Sequence, residues 1–137
     1  MSDANKSIVR QFLNEVINKD DSDARPDLID PGVIAHFGGM PVLDLDGWRQ
    51  MAGAFFVGLP DLTVTIEDEV AEGDRVAVRW TWTATHTGTF MDLPATGKAV
   101  VGSGMGVYRV SDGKVAEEWI LEDMLGILQQ LGAIPAS

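Results

Sequence analysis

Near the start of the chain, apolar residues recur at helical spacing. Ile8, Val9, Phe12, Leu13, Val16 and Ile17 form one stripe, with Arg10, Gln11, Asn14 and Glu15 opposite. Asp3 is placed to cap that helix. The turn-rich NKDDSDARPD follows, then a short helix or turn around Leu28 and Ile29. In DPGVIAHFGGMP, Gly and Pro bracket an apolar segment that holds His36. A second amphipathic helix begins near Asp44 or Asp46. It puts Trp48, Met51, Ala52, Phe55 and Phe56 on one side and stops at Gly58 to Pro60.

From residue 62 the period changes to two. LTVTIEDEVAEG, DRVAVRWTWTATH, KAVVGSGMGVYRV and KVAEEWILED read as four strands in series. Their connections EGD, TGTFMDLPATGK and SDGK are turn sequences, which predicts antiparallel neighbours. A last helix carries Met124, Leu125, Leu128 and Leu131 at core spacing and ends at Gly132, with Pro135 beyond. Helices gathered before a curved antiparallel sheet describe an α+β fold, in one domain spanning residues 1–137.

Two strands carry chemistry. In RWTWTATH the residues Trp80, Trp82, Ala84 and His86 share one face, so two indoles and an imidazole point the same way. In the last hairpin, Asp112-Gly113 favours a two-residue type I′ turn. That turn sets Val110 opposite Val115, Tyr108 opposite Glu117, Gly106 opposite Trp119, Gly104 opposite Leu121 and Gly102 opposite Asp123. Glycines at alternate positions then face Trp119, Leu121 and Asp123 and leave volume in front of them. The alternative is that these glycines only let the sheet bend or a helix approach.

Composition narrows the function. With 21 acidic and 10 basic residues the net charge is −11, and no basic cluster exists to track a phosphate backbone, so nucleic acid is not an expected partner. No apolar run approaches the roughly 20 residues of a membrane helix. Without cysteine or a recognisable signal core, the expected location is the cytoplasm. The absence of Cys and of a GxSxG elbow leaves covalent acyl transfer without a nucleophile. His36 and His86 offer no metal-ligand spacing, and GSGMG opens no helix, so neither a metal nor a dinucleotide is expected.

The stretches WTWTATHTGTFMDLPATGK and VYRVSDGKVAEEW, and the run from Trp119 to Asp123 into DMLGILQQLG, resemble the SnoaL-like polyketide cyclases over nearly the whole chain. The resemblance implies the cone-shaped α+β barrel shared with ketosteroid isomerase and nuclear transport factor 2, with helices packed in a strongly bent sheet around a deep apolar pocket. It also implies a homodimer or larger homo-oligomer. The implied reaction is a cofactor-independent intramolecular aldol closure of an apolar aromatic or polycarbonyl substrate. Relatives that open epoxides, hydroxylate, isomerise or only bind small molecules supply the alternatives.

By the same resemblance Asp123 is the acid/base, and Asp123→Asn is expected to abolish turnover. An N-cap for the last helix is its other reading. His86 is expected to assist at the pocket, or else to pair with a carbonyl at the strand end. His36 is a pocket-lining candidate or a fixed turn residue. Trp80, Trp82, Trp119, Gly104 and Phe55 are the expected substrate-binding surface.

Overall fold

The structure is a computed structural model that describes residues 2–18 and 25–135. Helix α1 (Ser2–Phe12) runs into a π-helical turn (Leu13–Ile17), and its buried stripe is Val9, Phe12, Leu13 and Val16. Asp3 lies within the first turn. Much of the turn-rich stretch after it, residues 19–24, lies outside the described residues. A 3-10 turn (Pro26–Leu28) leads into strand β1 (Ile29–Phe37). Helix α2 (Leu45–Gly58) follows, N-capped by Asp44, whose Oδ1 accepts from the Gly47 N–H at 2.9 Å. Strands β2 (Thr63–Glu72), β3 (Arg75–Thr85), β4 (Ala99–Ser111) and β5 (Lys114–Glu122) come next, and α3 (Met124–Gln130) closes the chain.

The sheet order is β1-β5-β4-β3-β2. The four strands read from the period-two pattern are antiparallel neighbours, as expected. The strand absent from that reading is β1, which pairs in parallel with β5 and makes the sheet mixed. Its sequence hides it. Pro31 and Gly32 fall where the register jumps between Ile29 and Ile34, and the Gly32 N–H bonds the Asp30 side chain at 2.7 Å instead of a neighbouring strand. Proline is tolerated at an edge strand or bulge, and β1 is both.

The β4–β5 hairpin carries the main correction. Asp112 and Gly113 are left-handed at φ 52 and 74, as a type I′ turn requires, and Val110 does face Val115. One residue later the register slips, and Arg109 faces Glu117 with Ala116 as the extra residue. Beyond that bulge Tyr108 faces Glu118, Gly106 faces Ile120 and Gly104 faces Glu122. A slip of one residue exchanges the faces of everything that follows. Glu118, Ile120 and Glu122 therefore point to the helix-covered side, and Glu117, Trp119 and Leu121 to the other.

Helices α1 and α2 cover the concave face, where Val76, Val78, Trp80, Trp82 and Ala84 of β3 are buried. Helix α3 is pinned beside β4 by the Gln130 side chain, which accepts from the Val101 N–H at 2.9 Å and donates to the Val101 carbonyl at 2.8 Å. No helix among the described residues is long and apolar enough to cross a membrane.

Candidate active site

Between the helices and the sheet lies a cavity of about 110 Å³. Phe12, Leu13 and Ile17 line it from α1 and its π turn, and Trp48, Met51 and Phe55 from α2. The sheet contributes Trp80, Trp82, Tyr108 and Ile120. Two carboxyl groups, Glu118 and Glu122, complete the wall.

Glu122 sits at the focus of the two indoles. Trp80 Nε1 donates to its Oε1 at 2.6 Å and Trp82 Nε1 to its Oε2 at 3.1 Å, so each oxygen has its own donor. Burial pushes the Glu122 carboxyl above the ordinary range, and the Trp82 and Trp80 N–H groups pull it back. The two N–H donors thereby hold the acid in one orientation.

The β4 glycines make this possible, in a different way from that expected. A Cβ on Gly102 would lie 2.0 Å from Trp82 Cε2, and one on Gly106 would lie 2.9 Å from Trp80 Cη2. A Cβ on Gly104 would meet the Glu122 carboxyl carbon at 2.8 Å. The glycines do not leave open volume; they seat the indoles and the acid flat against the strand. Gly102→Ala is accordingly expected to tilt Trp82 off Glu122 and destabilise the fold by about 1–3 kcal/mol. Urea denaturation with tryptophan fluorescence measures both effects.

Glu118 is 3% exposed, and burial raises its pKa to about 8, opposed only in part by a hydrogen bond with Trp48. Its cross-strand partner Tyr108 is fully buried. Its hydroxyl is pushed well above 10 by burial first, then by the two glutamates.

The other expected site residues stand elsewhere. Asp123 is exposed and does not line the cavity; it N-caps α3, with Oδ1 accepting from the Gly126 N–H at 3.0 Å. The bulge at Ala116 rotated it off the concave face. His86 is fully buried but also lies outside the cavity lining. Its Nδ1 contacts Thr96 Oγ1 at 2.9 Å, and its ring meets Phe90 edge-on at 6.5 Å.

Trp119 and His36 lie together on the convex face, their rings stacked with centroids 5.2 Å apart. The Arg75 guanidinium lies 5.1 Å from the Trp119 ring centre. His36 Nε2 lies 2.8 Å from Glu117 Oε2, and Arg109 Nε donates to Glu117 Oε1 at 3.2 Å. These partners, His36 first, hold the Glu117 carboxyl below the usual range. Of the expected surface, Trp80, Trp82 and Phe55 line the cavity and Gly104 underlies Glu122. Glu118 and Glu122 were missed.

A bent sheet closed by helices over an apolar cavity that holds two acids is an α+β fold of the nuclear transport factor 2-like class. Within that class the chain belongs to the SnoaL-like polyketide cyclase family, whose model matches residues 7–131. Among solved structures it is similar to AclR of Streptomyces galilaeus, a candidate hydroxylase. The identity is 27% over 100% of this chain and 86% of that one, with a TM-score of 0.91. A candidate polyketide cyclase from Acidithiobacillus ferrooxidans is 31% identical over 95% of each chain, with a TM-score of 0.82. IdmH of Streptomyces antibioticus, another candidate polyketide cyclase, is 28% identical over 93% of this chain and 98% of that one, with a TM-score of 0.82. No curated protein matches the sequence.

Proposed function

We propose that the cavity is the active site of a ring-closing enzyme that performs an intramolecular aldol addition on an aromatic polycarbonyl substrate, with Glu122 as acid and base. One observation carries this reading: a carboxyl group in an apolar cavity, with each oxygen held by a separate indole N–H. A carbon between two carbonyls is acidic enough for a carboxylate to deprotonate. Glu122 takes that proton, the enolate carbon attacks a carbonyl carbon further along the chain, and a carbon–carbon bond forms. The new alkoxide then takes the proton back from Glu122, so atoms and charge balance without another reactant. The indoles hold the carboxylate in place through both transfers.

A linear phenyl triketone tests the proposal. Acceleration over buffer of a ring product with the substrate's atoms, or with those atoms less water, supports it. Recovery of the triketone unchanged with tight uptake would make the protein a binding module. The likeness to AclR favours a second reading, hydroxylation in the same cavity. Labelled oxygen from dioxygen in the product would select it over ring closure.

A further inference from the structure

We propose that Glu118 is a neutral carboxylic acid that donates a hydrogen bond to the carbonyl oxygen of an aryl ketone in the cavity, anchoring the substrate away from the reacting carbon. This deepens the ring-closure reading of the same cavity and assigns the substrate a second carbonyl group, attached to an aromatic ring.

Geometry supports the assignment. Glu118 lines the cavity while 3% exposed, and its Oε1 has no hydrogen-bond partner among the described residues. A buried polar atom without a partner costs free energy that a ligand's acceptor or donor recovers. Ile120 separates Glu118 from Glu122 on the same face of β5, and four residues of extended strand span about 13 Å. The two acids therefore address different parts of a ligand. The surrounding walls, Phe12, Trp48 and Phe55, suit a flat ring.

The charge state agrees. Among the described residues, the polar groups set against Glu118 are Trp48 from α2 and Tyr108 from β4, with Glu122 further along β5; none of these three carries a positive charge. Apolar Phe12 and Leu13 of α1 line the same cavity. With a pKa of about 8, Glu118 retains its proton at neutral pH and loses it above. At Glu122 the two indole N–H donors favour the ionised carboxylate, the form that can take a proton.

Binding of acetophenone, followed by NMR titration from about pH 6 to about pH 10, tests the inference without requiring turnover. α-Methylstyrene, which replaces the oxygen by a CH₂, serves as the control. Acetophenone affinity is expected to fall about tenfold as pH rises, with a midpoint near 8, while α-methylstyrene shows no step. Glu118→Gln, which still donates through its amide, is expected to keep ketone binding without the step, and Glu118→Leu to lose the ketone's low-pH advantage. Glu122→Gln and Tyr108→Phe are expected to retain the step.

No acetophenone binding, no step in the unsubstituted protein, or a step that survives in Glu118→Gln overturns the inference. So does a step lost in Glu122→Gln or Tyr108→Phe. Intact triketone closure beside a missing step would remove the anchor alone, whereas an intact step without closure would remove the ring-closure reading alone.

Discussion

Glu122→Gln is expected to slow triketone closure by about a hundredfold to ten-thousandfold, the usual contribution of a positioned acid/base. The substitution keeps size and shape but removes the group that accepts and returns the proton. It also turns one oxygen into an amide NH₂, which faces an indole N–H, donor against donor. One of the two contacts from Trp80 and Trp82 is therefore lost. The stability cost of that loss is about 1 kcal/mol, too small to explain the fall in rate by unfolding. Asp123→Ala gives the contrasting result. It removes the cap of α3 and costs about 1 kcal/mol of stability, and closure continues. Initial rates and urea melts on the same preparations separate the two effects. If Asp123→Ala stops closure and Glu122→Gln does not, the acid/base role returns to Asp123.

The ambiguity between these neighbours shows how far pattern alone reaches. The helices and the antiparallel strands β2, β3 and β4 were legible because their apolar residues recur at a clear period. Trp80, Trp82 and Phe55 were legible as cavity walls for the same reason. KVAEEWILED differs, because both of its parities mix apolar and acidic residues. Val115, Glu117, Trp119, Leu121 and Asp123 form one set; Ala116, Glu118, Ile120 and Glu122 form the other. Neither set is clearly the buried one, so the turn alone chose the register, and the bulge at Ala116 reversed it. The adjacent apolar pair Val115-Ala116, both buried, was the one local sign of an extra residue.

His86 keeps the buried parity of Trp80, Trp82 and Ala84, but Phe90 and Thr96 pack against its ring and it falls outside the cavity lining, a boundary that alternation along β3 does not contain. The glycines marked the right strand, but what fills the space above them depends on the indole rings of β3, whose side-chain directions the pattern does not contain.

Stability is expected to fall as pH rises from about 4.5 to about 8, and Glu118→Gln is expected to remove most of that fall. The carboxyl of Glu118 ordinarily titrates at 4.5, and in the folded protein burial raises its pKa to about 8. Between those values the native state binds a proton that the unfolded chain has released, so unfolding becomes easier as pH rises, by roughly 1.4 kcal/mol for each pH unit within the window. Below the window both states are protonated, and above it both are ionised, so the difference levels off.

Glu122 shifts in the same direction and leaves a smaller slope in the variant. The carboxylates of Asp27, Asp61 and Glu117 have lowered pKa values, so their contributions vanish only at more acid pH. Growing repulsion within a chain of net charge −11 also favours unfolding at high pH, but it acts nearly equally on both proteins and cancels in their difference. Urea denaturation at a series of pH values should therefore show the variant gaining on the unsubstituted protein from about pH 5 upward, by several kcal/mol at pH 8. Parallel curves would mean that Glu118 is ionised in the folded protein at neutral pH. The stability slope and the ketone-binding step both report the proton of Glu118, so both are expected to turn near pH 8.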